Sequence, residues 1–215
     1  MISRIEALAR DARRLRSGRR LAKHWPALLF FTDPVRTPDP VDIISHLPRG
    51  SAVVYRAFGA PTAVEEGRRV ARAARRRGLL FFVGADSRLA AILGADGLHL
   101  PERESGRRGQ NAGLSRRFRL TAAVHSEAAI RRARHAGIQA LIVSTVFPSQ
   151  SPSAGRPKGP RTLARLVRLA RLPTYALGGV NTSTIRHLKS TGAVGVAAIG
   201  AFEVSAASSL ATTRT

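Results

Sequence analysis

Residues 174–202 read TYALGGVNTSTIRHLKSTGAVGVAAIGAF. Two short apolar runs, 174–177 and 194–199, each lead into glycine: Gly178-Gly179 after the first and Gly200 after the second. A run of four to six apolar residues without polar alternation is the pattern of a strand covered on both faces, as in a parallel sheet flanked by helices. Glycine at the strand exit lets the chain turn sharply and brings backbone N–H groups within reach of anything seated there.

The same texture continues upstream. Apolar runs at 27–31, 52–55, 79–83, 97–100, 120–124 and 140–146 bring the number of candidate strands to eight. Segments 63–77, 88–93, 126–135, 161–170 and 182–190 carry helical periodicity between them. Eight strands in about 175 residues leave about 22 residues per unit, tight but sufficient for a single α/β domain of the (β/α)8 TIM-barrel type. A doubly wound open sheet is the alternative, weakened because no G-x-G-x-x-G turn follows the first strand. In the opening segment, Ile5, Leu8, Ala12 and Leu15 lie at helical spacing among arginines. This predicts an extra N-terminal amphipathic helix within 1–25, packed on a barrel at 26–215. Glu6 and Asp11 speak against a transit peptide. The Pro/Gly/Ser-rich stretch 147–160 falls between a strand and a helix and reads as one long loop.

The chain of 215 residues has 36 Lys+Arg against 13 Asp+Glu, a formal charge of +23. Only three of the cations are lysines, Lys23, Lys158 and Lys189. A 44% apolar content is that of a globular domain and not of a disordered basic tail. The absence of cysteine excludes disulfide frameworks, thiolate metal sites and cysteine nucleophiles. No apolar stretch approaches the ~20 residues of a membrane span, so a cytoplasmic protein without membrane association is expected. The basic excess fits a surface that steers phosphorylated small molecules, a coding bias towards arginine, or, as the less favoured partner, nucleic acid along the Arg-rich segment 68–77. Aromatics make up only 5%, too few for single-strand stacking. The oligomeric state is not legible.

In a parallel barrel, chemistry sits at the carboxyl ends of the strands. Asp33, Asp86, Glu102 and Glu104, four of the 13 acids, all fall there. Clustered carboxylates suit Mg2+ and a diphosphate; the same residues also serve as helix N-caps. Gly178-Gly179 and Ile199-Gly200 lie after strands seven and eight, where barrels commonly hold phosphate.

LLFFTD (28–33), LGADGLHLPERE (93–104), VFPSQS (146–151), ALGGVN (176–181) and VAAIGAF (196–202) together resemble the thiamine phosphate synthase family, which includes the thiazole tautomerases. The resemblance runs in order through nearly all of 26–202. It implies a TIM barrel and a transferase of the thiamine-phosphate diphosphorylase type in thiamine biosynthesis. In that chemistry a hydroxymethylpyrimidine diphosphate ionises at its methylene carbon, Mg2+ holds the diphosphate, and the nitrogen of a thiazole phosphate attacks. Carried over by position, the resemblance implies phosphate binding by Gly178, Gly179, Ile199 and Gly200, and catalytic positions at Arg56, Ser149 and Ser151. It further implies substrate binding at Glu102 and His125, and metal binding at Asp86 and Glu104.

The chain departs from the family at several of these positions. The Asn-Asp after strand three falls on Gly84-Ala85, with Asp86 one residue late. Val54 and Phe58 replace a Gln and a Lys around Arg56, and Ala123 replaces a serine. The loop motif Thr-x-Thr-Lys reads Ser149-Gln150-Ser151-Pro152, which leaves Lys158 as the nearest lysine. Thr145 stands where a tautomerase has its histidine. The expectation is a thiamine phosphate synthase-like barrel with a degenerate metal and diphosphate site. The alternative is a catalytically inactive paralogue that binds a phosphorylated ligand or regulates.

Overall fold

A computed structural model of the chain describes residues 2–15, 20–151 and 154–202. Pro152 and the stretch beyond 202 lie outside the described residues, as do 16–19 of the opening segment. Eight parallel strands follow one another around a closed barrel: β1 Leu28–Phe31, β2 Ala52–Tyr55, β3 Leu80–Gly84, β4 Gly97–Leu100, β5 Arg119–Val124, β6 Ala140–Val143, β7 Thr174–Leu177 and β8 Gly195–Ala198. Closure is direct, with Leu28, Leu29 and Phe30 of β1 in register with Val196, Ala197 and Ala198 of β8. The helices are α1 Ile2–Leu15, α2 Pro40–His46, α3 Ala63–Arg77, α4 Ser87–Ile92, α5 Arg108–Leu114, α6 Glu127–Arg134 and α7 Gly159–Ala170.

The alternation of side chains along a strand divides each apolar run between two cores. In β1, Leu28 and Phe30 pack outward against the helices, whereas Leu29 and Phe31 fill the barrel with Val54, Phe82, Ile142, Tyr175 and Ala197. Two large rings in so narrow a space require small neighbours. A Cβ on Gly97 would lie 2.1 Å from Cε1 of Phe82, and one on Gly195 would lie 2.9 Å from Cε1 of Tyr175. The Tyr175 hydroxyl, fully buried, donates to the Pro26 carbonyl at 2.7 Å and so satisfies its one polar group at the barrel floor.

Helix α1 buries Ile5, Leu8, Ala9, Ala12 and Leu15 against β1, β8 and the turn at Ile185–Leu188. It therefore covers the seam between first and last strands. No helix among the described residues is long and apolar enough to cross a membrane.

Two local expectations are corrected, and two helices appear that were not expected. Segment 182–190 is not a regular helix but a short 3-10 turn, Ile185–Leu188. The Asn181 carboxamide accepts from the amides of Ser183 (2.9 Å) and Thr184 (3.0 Å), and this local bonding competes with a helical first turn. Helices α2 and α5 were not legible from periodicity. For α2 the signal was its cap: the Asp39 carboxylate accepts from Val41 and Asp42 N–H, and Pro40 opens the helix. Strand six ends at Val143, three residues earlier than its apolar run, which leaves Ser144–Val146 at the mouth.

Candidate functional site

A cavity of about 290 Å³ opens at the carboxyl ends of the strands. Its walls come from the segments after β1, β2, β6, β7 and β8; among the described residues, none comes from those after β3, β4 or β5. Gly178, Gly179, Ile199 and Gly200 all line it, as do Ser149 and Ser151 of the long loop and Arg56 at the end of β2. Gly178 and Gly179 have φ of +95° and +62°, a left-handed conformation natural only to glycine. Space is as decisive as torsion: a Cβ on Gly179 would sit 2.2 Å from the Pro148 carbonyl oxygen. Within the described residues, the amides of Gly178, Gly179 and Val180 donate to no carbonyl or side chain. Consecutive unsatisfied N–H groups in a turned backbone form an anion-binding concavity.

Arg56 supplies the fixed charge. Its amide donates to Thr32 Oγ1 (3.0 Å), its Nε to the Thr32 carbonyl (2.7 Å) and its Nη2 to Asp33 Oδ2 (3.0 Å). The guanidinium also lies 4.9 Å from the ring centre of Phe58. Burial lowers the pKa of this arginine and Asp33 opposes the shift, so it stays cationic. Arg36, whose amide donates to Asp33 Oδ1, lines the same cavity. Beneath, His99 faces its neighbours in β1 and β5: its ring meets Phe31 edge-on and its Nδ1 lies 3.0 Å from Thr121 Oγ1. Lost hydration, with the Arg56 charge, holds its imidazole down at about 3, so the ring is neutral at physiological pH. From 6.5 down to about 3 the unfolded chain takes up a proton here that the folded chain refuses. Stability is therefore full above that window and is expected to fall as pH drops through it. Urea unfolding over a pH series should show this, and His99→Gln should remove one proton from the dependence; an unchanged dependence would refute the assignment.

The expected metal carboxylates are engaged elsewhere. Asp86 is the N-cap of α4, accepting from Leu89 N–H at 2.9 Å. Glu104 pairs with Arg103 at 3.4 Å, and Asp33 is held by Arg56 and its own loop. No three His, Asp or Glu among the described residues are grouped to hold a metal ion. Asp86 and Glu104, expected from the resemblance to hold Mg2+, thus each have a protein partner, and neither lines the cavity. Glu102 accepts from the His125 amide and faces Arg132 at 4.0 Å, while His125 Nδ1 lies 3.0 Å from the Ser144 carbonyl. Neither Glu102 nor His125 lines the cavity. Lys158 anchors the end of the loop through its amide to the Thr145 carbonyl (2.9 Å) and does not line the cavity either.

Ala85, just after β3, is held in a left-handed backbone conformation. Its φ is +64°, a region that asparagine and aspartate tolerate and alanine does not. Ala85→Gly is expected to stabilise the protein by about 1 kcal/mol. A urea midpoint that moves down would disprove the strain.

A family model described as thiamine monophosphate synthase matches residues 33–202. The chain belongs to this family. It is similar to the bifunctional thiamine biosynthesis protein ThiM/ThiE of Symbiobacterium thermophilum, 32% identical over 142 residues, which are 66% of this chain and 30% of that protein. It is also similar to the thiamine-phosphate synthase of Lactococcus lactis, 25% identical over 169 residues, 75% of this chain and 79% of the relative. Among solved structures, a thiamine phosphate pyrophosphorylase from Pyrococcus furiosus superposes with a TM-score of 0.69 at 25% identity, covering 87% of each chain. In this thiamine monophosphate synthase family member, Thr145, noted in the sequence only as standing where a tautomerase has its histidine, lines the cavity, as do Arg36 and Ser144, which the sequence did not single out. Ser144 was hidden in an apolar run that overshoots its strand. Arg36 was legible only as one cation among many.

Proposed function

We propose that this protein seats a thiazole phosphate in the 290 Å³ cavity and, as a thiamine phosphate synthase-like transferase of the cytoplasm, joins it to a hydroxymethylpyrimidine diphosphate. The observation that carries this reading is the run of unsatisfied amides at Gly178, Gly179 and Val180 beside Arg56 and the serines of the long loop. A phosphate monoester needs such donors and a fixed cation; a small ring then lies against Leu177 and Ile199. The volume is at the low end for ligand sites and suits one small phosphorylated ring, and among the described residues its lining includes none from the segments after β3, β4 or β5.

That one-sidedness favours a second reading, a paralogue that binds the thiazole phosphate without turning it over. Calorimetric titration with thiazole phosphate tests the shared premise: saturable binding supports both readings, and none refutes both. Incubation with both substrates then separates them, since product supports the transferase and its absence leaves the binding paralogue. Because arginine and backbone amides supply the recognition, EDTA is expected to leave the affinity for thiazole phosphate within about twofold of its Mg2+ value, the change a direct phosphate–metal contact would greatly exceed. A tenfold loss in EDTA would restore a metal to the site.

A further inference from the structure

Helix α3 lies on the outside of the barrel, away from the thiazole phosphate cavity, and its two faces are chemically opposite. Gly67, Val70, Ala71, Ala73 and Ala74 are buried against the strands. The outward face exposes Arg68, Arg69, Arg72, Arg75, Arg76 and Arg77. Two of these serve the fold: Arg75 Nη2 donates to the Leu93 and Gly94 carbonyls, and Arg77 Nε donates to the Leu47 carbonyl. Arg68, Arg72 and Arg76 do not. They repeat every fourth residue along one line, and none makes an ion pair or side-chain hydrogen bond with a described residue. On α6 and α7, by contrast, Arg131 and Arg165 pair with Glu127 and Arg132 with Glu102.

We propose that this face of α3 is a docking surface for the phosphate backbone of double-helical nucleic acid. Three guanidinium groups on a 1.5 Å rise per residue span about 12 Å, a length over which a duplex carries roughly seven phosphate charges. Arginine meets phosphate oxygens in a planar, two-pronged geometry that lysine cannot offer. The face carries no aromatic side chain, so it has no platform for unstacked single-strand bases. It also carries no exposed apolar side chain between the arginines, and an interfacial membrane helix needs such a face to enter the lipid. The contact is backbone reading, without base specificity.

The test is fluorescence anisotropy of a labelled 20-base-pair DNA duplex from 50 to 200 mM salt. Each phosphate contact adds about 0.9 to the slope of log K against log salt. Arg68→Gln/Arg72→Gln/Arg76→Gln is expected to lower the slope by about 2–3, and Arg72→Gln alone by about 0.9. A control that removes three exposed arginines from other faces, Arg116→Gln/Arg161→Gln/Arg168→Gln, should change the slope by less than about 1. Equal losses in both triple variants would overturn the proposal in favour of diffuse charge. Binding to phosphatidylserine vesicles that exceeds duplex binding and disappears in the α3 variant would overturn it in favour of a membrane. No retention of the wild-type protein on duplex at 50 mM salt would end it outright.

Discussion

Replacing Gly179 with alanine is expected to abolish thiazole phosphate binding, raising Kd at least about a hundredfold, or about 2.7 kcal/mol. Two independent effects act together. At φ +62° an alanine is strained by about 1–2 kcal/mol, so the turn relaxes and its amides no longer converge. The new methyl would also stand 2.2 Å from the Pro148 carbonyl and 2.8 Å from Phe147 Cβ, and neither is the far end of a flexible side chain. The loop that carries Ser149 and Ser151 must then move outward, taking a second wall of the cavity with it. Calorimetry reads the affinity, and far-ultraviolet circular dichroism checks that the barrel persists. An affinity within threefold of wild type would show that the phosphate sits elsewhere, and the proposed function would lose its carrying observation.

Gly97→Ala is expected to have the largest effect on stability, about 2–3 kcal/mol from a single methyl group. The methyl points into the barrel, 2.1 Å from Phe82 and 2.7 Å from the Arg119 carbonyl. Phe82 is fully buried among Leu29, Phe31, Val54 and Tyr175 and has no free volume into which to retreat. Chemical denaturation measures the loss. Because the two residues share one space, Phe82→Leu in the same chain should recover part of it, a coupling that a double-mutant cycle reads directly. Additive losses would mean that the contact is not what makes alanine intolerable. The Arg119 carbonyl limits the recovery, since backbone of the neighbouring strand cannot be trimmed by mutation.

These two glycines also mark how much of the molecule was legible in its sequence. Eight largely apolar runs announced eight doubly covered strands, because burial on both faces shows in composition. Gly178-Gly179 and Ile199-Gly200 announced a turn chemistry that the cavity now surrounds. What composition could not convey was the direction in which a carboxylate would be used. Asp86 and Asp39 look alike in sequence, and both turn out to cap short helices; Asp33 is claimed by an arginine 23 residues away. The reach of a strand was also hidden, since Val146 is as apolar as Val143 yet lies past the end of β6. Gly97, read simply as the start of a strand, owes its identity to a phenylalanine on the preceding strand.

The seam covered by α1 sets a timetable for synthesis. Helix α1 leaves the ribosome before the barrel strands, yet β8, one of its partners, comes roughly 180 residues after Leu15. At about 5–20 residues per second, Ile5, Leu8 and Leu15 wait roughly 10–40 seconds for the surface that completes their burial. Until then the apolar positions of α1 lack their full cover beside a row of arginines, a composition that anionic surfaces bind. The strand that closes the barrel is thus also the one that withdraws this helix from competing partners.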